Sequence, residues 1–187
     1  GPILRNLADT PERANEIDIN EGVCRLMEVR FPPEGTLITP KFPAPTNMRM
    51  FTILRLLGIF SACIAKAVKG KMPADQETIR IWGLHGRDRD GELFIFREVL
   101  GGGSGGREYA DGSDAIHIVP NSRNLPAEFS EIRYAVRVEK LALCPDSGGP
   151  GKRRGGLGYL KEFTVLSDAG IFSLADRSKL ACWGVNG

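Results

Sequence analysis

Two patterns in this 187-residue chain predict an α+β fold, with mixed, largely antiparallel sheets and one long buried helix. The first is a helical stretch over about residues 47–68, apolar nearly all round, as expected of a core helix. The second is the run of short β-rich segments after it, punctuated by glycine and proline. Those two residue types make up about a fifth of the chain, against a usual ~12%, and they cluster between hydrophobic runs. They therefore read as tight turns in one folded α+β region spanning residues 1–187.

The elements follow in order. Thr10 and Pro11 form a helix start, an N-cap followed by proline at the first helical position, so a short helix is expected to about Glu16. Residues 24–31 fit a strand stopped by Pro32 and Pro33. Residues 36–45 carry three prolines and cannot form a central strand. For the long helix, Thr46 is a candidate cap, Lys66 and Lys69 suit the negative end of its dipole, and Gly70 then Pro73 end it. Arg55 and Lys66 interrupt its apolar run, which on this reading falls short of a clean membrane span.

Residues 77–84 and 92–100 read as strands of a hairpin turning at Asp90 and Gly91. Residues 115–119 form a short strand candidate, and helix chemistry begins at Pro126. Residues 134–143 alternate, with Val136 and Val138 on one face and Arg137 and Glu139 on the other. A second hairpin is expected around Ser167 and Asp168, joining residues 159–166 to 170–174. Residues 179–183 offer a last strand, and an end on Val185-Asn186-Gly187 without a capping element suggests a longer parent polypeptide.

Composition excludes several function classes. A net charge of +2 is too small to imply nucleic-acid binding, and no aromatic-and-basic pattern accompanies it. Cys24, Cys63, Cys144 and Cys182 are widely spaced and form no CxxC pair, so free, mostly buried thiols in a reducing, cytoplasmic setting are expected. Gly102-Gly-Ser-Gly-Gly106 formally matches a nucleophile elbow, but the residues after it make a poor helix and His117 lies too near Asp111 and Asp114 for the usual triad order. A Cys–His pair has no local signature around any cysteine. With only His85 and His117, a metal site within the chain is not specified.

The loop 146–159 carries six glycines, Lys152, Arg153 and Arg154. Glycines expose backbone N–H groups, and arginines grip carboxylate or phosphate in bidentate geometry. It is not a Walker loop, since no GK[ST] follows and the next element reads as a strand. Two readings stay open: a contact for an anion or phosphorylated intermediate, and a structural or subunit-contact loop.

Taken in order, Asp18-Ile-Asn-Glu-Gly22, Pro33-Glu-Gly-Thr36, the glycine cluster ending in Asp111-Gly112, Asn121-Ser-Arg-Asn-Leu-Pro-Ala-Glu128, Asp146-Ser-Gly-Gly-Pro-Gly, Arg154-Gly-Gly-Leu-Gly158 and Asp176-Arg177 resemble the hydantoinase B/oxoprolinase family. The resemblance implies the C-terminal portion of a B-type subunit in an ATP-dependent cyclic amide hydrolase. An A-type subunit would bind ATP and supply the activated small-molecule substrate. The remainder of the B-type subunit would hold a divalent metal, whose ligands the resemblance does not identify in this chain. Ketone carboxylation and a non-catalytic assembly module are the alternatives. No nucleic acid or membrane partner is expected. Glu128 and Arg154 are the implied catalytic residues, Glu128 as a general base or else as a cap for nearby backbone N–H groups. Asn121, Asn124, Asp146, Ser147, Gly148 and Gly149 are implied to line the substrate.

Overall fold

The computed structural model describes residues 11–16, 18, 20–25, 27–47, 49–76, 80–117 and 122–185. The fold is α+β, as predicted, and its contacts divide into two units, Gly1–Met72 and Pro73–Gly187.

In the first unit, α1 spans Pro11–Glu16, α2 Glu21–Cys24 and α3 Arg49–Ala67. Asn20 caps α2, its side-chain oxygen accepting from the Gly22 N–H at 2.9 Å. The strand expected over residues 24–31 does not form. Cys24 belongs to α2, and Val29 and Phe31 lie exposed with no ladder partner among the described residues. Residues 31–44 fold instead as bends around Thr39, whose hydroxyl donates to the carbonyls of Pro32 and Pro33. Gly70 adopts φ 75° just past α3, the left-handed conformation predicted for its end.

Helix α3 overturns the expectation of burial. Leu54 alone among its residues is buried, while Ile53, Ile59 and Phe60 are about half exposed. This 19-residue helix, with a mean hydropathy of 1.7 over an 18-residue window, is also long and apolar enough to cross a membrane by length and composition. Two interrupting cations are too few to take it below that level. The periodicity is helical, but an apolar surface on every side says only that something should cover it.

The second unit holds two antiparallel sheets. In one, β1 (Arg80–Arg87) pairs with β2 (Leu93–Leu100) on one side and β5 (Ala169–Ala175) on the other. In the other, β3 (Val136–Leu143) pairs with β4 (Tyr159–Val165), with a register shift between Val138 and Lys140. The β1–β2 hairpin turns at Gly91, whose φ of 83° needs glycine. Helix α4 covers Ala127–Arg133, with Pro126 at its N-cap and the buried Ser130 hydroxyl donating back to the Pro126 carbonyl at 3.0 Å.

The predicted second hairpin does not form. β4 and β5 are neighbours in sequence, yet β4 joins β3 whereas β5 lies antiparallel to β1, so the chain changes sheets at Ser167 and Asp168. A turn signal between two β-rich runs is local and cannot specify which strand each run will pair with. Residues 179–183 form no strand. Trp183 instead exchanges hydrogen bonds with Asp75, accepting from its N–H and donating to its carboxylate.

The core sits where the two sheets meet. Leu84, Phe94, Phe96, Ala135 and Val136 are buried, with Trp82, Tyr134 and Phe163 packed on them. Ring centroids of Trp82 and Phe163 lie 4.4 Å apart and those of Phe96 and Tyr134 4.9 Å, so aromatic contacts join β1 to β4, and β2 to Tyr134 at the C-cap of α4. The four cysteines are free as expected, but all four are exposed rather than buried.

Candidate functional site

Three glycine-bearing segments cross in the second unit with almost no side chains between them. Gly102 and Ile116 exchange backbone hydrogen bonds, and the Ser104 N–H donates to the Ser113 carbonyl at 2.9 Å. The loop 146–159 then joins from the other side, where Gly112 and Ala115 donate to the carbonyls of Arg154 and Leu157, and Gly156 donates to that of Ser104. This weave explains the glycines. A Cβ on Gly103 would lie 1.7 Å from the Gly156 oxygen, and one on Gly156 would lie 2.0 Å from the Ser113 oxygen. Both neighbours are backbone, which has no rotamer by which to yield.

The weave also uses the amides that could otherwise cradle an anion. Five consecutive N–H groups are engaged: Arg154 to Asp111 Oδ1, Gly155 to the Gly149 carbonyl, Gly156 to that of Ser104, Leu157 to Asp114 Oδ1 and Gly158 to Ser147 Oγ. Asp111 and Asp114 are therefore backbone acceptors. Over residues 154–158 the loop offers side chains, not amides. Lys152, Arg153 and Arg154 stand exposed in a row, and Arg154 meets the fully exposed Asp146 at 3.5 Å.

The other implied residues are placed as follows. Asp146 takes φ 56°, a left-handed turn conformation. Ser147 donates to the Cys144 carbonyl at 2.7 Å while accepting from Gly158. Gly148 is buried, and a Cβ there would meet the Gly155 oxygen at 2.2 Å; Gly149 is open. Glu128 is exposed in the first turn of α4, whose N-cap has no side-chain hydrogen bond, so the capping role is not realised there. Asn121 lies outside the described residues. Ser104, the formal elbow serine, is buried, with its hydroxyl accepting from the Ser113 N–H at 2.7 Å and no helix following it.

Asn124 sits at the centre of a polar chain. Its Nδ2 donates to the Tyr159 hydroxyl oxygen, and its Oδ1 meets Nε2 of His117. An amide oxygen accepts only, so with the amide placed this way Nε2 carries a proton, and Nδ1 is the ring nitrogen turned away from Asn124. That nitrogen is shielded from solvent and has no partner among the described residues. Burial, followed by the nearby Glu98 carboxylate, raises the Tyr159 pKa to about 12, so the phenol stays protonated. Asn124 thereby ties His117 to the C-terminal end of the glycine loop.

Beside Tyr159, Lys161 Nζ reaches both oxygens of Glu98 at 2.8 and 2.9 Å, and the two side chains are only 2–3% exposed. Lys161 also lies 4.9 Å from the Phe163 ring centre. Near the chain's other end, Arg177, at φ 58°, pairs with the nearly buried Asp75 and donates to the Ala181 carbonyl at 3.0 Å. The sequence singled out neither acid, although inward Phe94 and Phe96 place Glu98 on the core face by strand alternation. Among the described residues no group of three His, Cys, Asp or Glu side chains could hold a metal ion, so the described residues do not fit a resident metal.

The sequence profile of the hydantoinase B/oxoprolinase family matches residues 5–187, which includes every crossing segment of the weave. The chain belongs to the hydantoinase B/oxoprolinase family. Among its relatives, a protein of Pseudomonas sp. (strain NS671), named as the B component of a D-/L-hydantoinase, is 31% identical over 166 residues, covering 88% of this chain and 28% of that one. The 5-oxoprolinase PfmaA of Pestalotiopsis fici is 31% identical over 98% of this chain and 14% of its own length. The beta chain of the Pseudomonas jessenii caprolactamase is 28% identical over 80% of this chain and 27% of its own. The chain thus spans less than a third of these family members. In fold, it is similar to a nucleotide-free acetone carboxylase structure, with a TM-score of 0.51 and 20% identity over 56% of this chain and 15% of that chain.

Proposed function

We propose that this chain is the part of a B-type subunit that receives an activated cyclic amide in an ATP-dependent ring-opening hydrolysis. The observation that carries the reading is the family match over residues 5–187. Relatives named for hydantoin, 5-oxoproline and caprolactam narrow the substrate class, because all three compounds are cyclic amides. An amide is inert because its nitrogen lone pair is delocalised into the carbonyl, so opening one quickly calls for an activated carbonyl. No Walker loop occurs in this sequence, and ATP is assigned to an A-type partner subunit. A divalent metal, in this reading, belongs to the remainder of the B-type subunit. Free, exposed thiols suit a cytoplasmic enzyme.

Within this chain, the glycine weave would present the Lys152–Arg154 side chains to an anionic substrate group. Arg154 is the proposed catalytic contact, since its ion-pair partner, Asp146, is itself solvated and competes weakly. Glu128 is exposed, as a base reaching a substrate on another part of the subunit would need to be. Asn124 acts through His117 and Tyr159, holding the imidazole against the end of the glycine loop. Asn121, Ser147, Gly148 and Gly149 complete the proposed lining. The test is turnover by the full complex carrying Arg154→Ala. A fall in kcat/KM of about 10²-fold is expected for loss of a charge-stabilising donor, and unchanged kinetics would remove Arg154 from the mechanism.

A further inference from the structure

Helix α3 carries an uncovered seam. Ile53, Leu56, Phe60, Cys63 and Ala67 follow one another at spacings of three, four, three and four residues. That is the repeat by which one helix packs knobs into the holes of another. Four of the five are exposed, Leu56 is partly so, and the half-exposed Ile59 widens the strip.

Charge decides among the candidate occupants. The helix contains Arg49, Arg55 and Lys66 and no acidic residue. A second copy of α3 would bring cation against cation in either orientation, which disfavours self-pairing. Lipid is disfavoured by Arg55, which lies well inside the apolar stretch. The relatives supply the remaining consideration, since this chain corresponds to 28% of the hydantoinase B component and 27% of the caprolactamase beta chain. Most of a B-type polypeptide therefore lies beyond the region described by this fold.

We infer that the α3 seam docks an apolar helix with acidic flanks from the remaining part of the B-type subunit. Its apolar side chains fill the spaces around Phe60 and Cys63, and its acids lie near Arg49 and Lys66. This rests on the B-type reading above, but it concerns assembly and needs no turnover.

Cys63 makes the inference measurable, because it is exposed on the seam. Maleimide labelling of Cys63, followed by peptide mass mapping, is compared between the 187-residue chain and the complete B-type subunit. Labelling is expected to be fast in the chain and slower by more than about tenfold in the complete subunit, as for a group reached only through local opening. Arg49→Glu with Lys66→Glu in the complete subunit is expected to restore fast labelling. Equal rates in the two proteins would overturn the docking, and protection that survives the charge reversal would overturn the acidic flanks. Sedimentation showing a dimer of the short chain with Cys63 protected, or protection by phosphatidylglycerol–phosphatidylcholine vesicles, would replace the inferred occupant with a second copy or a membrane. A complete subunit that protects Cys63 yet opens no cyclic amide would refute the proposed reaction and leave this inference standing.

Discussion

Residues that bear on function in this chain are coupled through hydrogen bonds whose direction can be worked out. Because the Asn124 Nδ2 donates to Tyr159, its Oδ1 faces His117 and accepts, so Nε2 carries a proton. Nitrogen-15 spectra of the imidazole should show a protonated Nε2, and an unprotonated Nε2 would mean that the Asn124 amide is turned the other way. Tyr159 gives a second expectation. Its pKa is raised to about 12 in the folded chain from an ordinary value of 10, so folding favours the protonated phenol. The resulting stability is fully present below pH 10 and is lost as pH rises from there toward 12. Tyrosinate absorbance in the native protein should therefore develop late, and Tyr159→Phe should remove the latest-titrating component. The sequence marked Asn124 through its motif. Nothing in it signalled the Asn124–Tyr159 contact, because 35 residues separate the two and only the fold brings them together.

At the scale of elements, the glycine weave and the buried ion pair set the energetics. Gly156→Ala would push a methyl group into the Ser113 carbonyl and should cost about 3 kcal/mol, whereas Gly149→Ala meets nothing and should stay within about 0.5 kcal/mol. Urea denaturation of the two variants checks the contrast, and equal effects would show that the loop is not locked as described. In the sheets, Lys161→Met leaves Glu98 buried and unpaired and should cost about 3–5 kcal/mol, while adding Glu98→Leu should recover most of the loss. Failure of the double variant to recover would point to packing around Trp82 and Phe163 instead of charge. Most individual elements were legible from period, caps and turn residues: α3, α4 and all five strands lie within a few residues of their expected places. The pairing of β5 with β1 was not legible, because local alternation shows which face of a strand is buried and not which neighbour it takes. Nor was the use of the loop amides, since glycine composition shows that backbone can come close but not what it comes close to.

Across the molecule, the order of motifs identified the family where no single motif could. The glycine cluster near 101–112, the segment around Asn124 and the loop 146–159 lie far apart in sequence, and two of them are interwoven through backbone contacts that only glycine allows. The exposed α3 and the short span of this chain against its relatives fit the proposed place within a larger subunit. They also explain why burial of α3 could not be read from its residues. Apolar periodicity marks faces that should be covered, and does not say whether what covers them lies within these 187 residues. The most direct measurement is ATP-dependent ring opening of hydantoin, 5-oxoproline and caprolactam by the complete B-type subunit with its A-type partner, using wild-type and Arg154→Ala proteins. ATP-coupled hydrolysis of at least one of these rings is expected, with turnover sharply reduced by Arg154→Ala. Bicarbonate-dependent carboxylation of a ketone with no ring opening would contradict the proposed reaction.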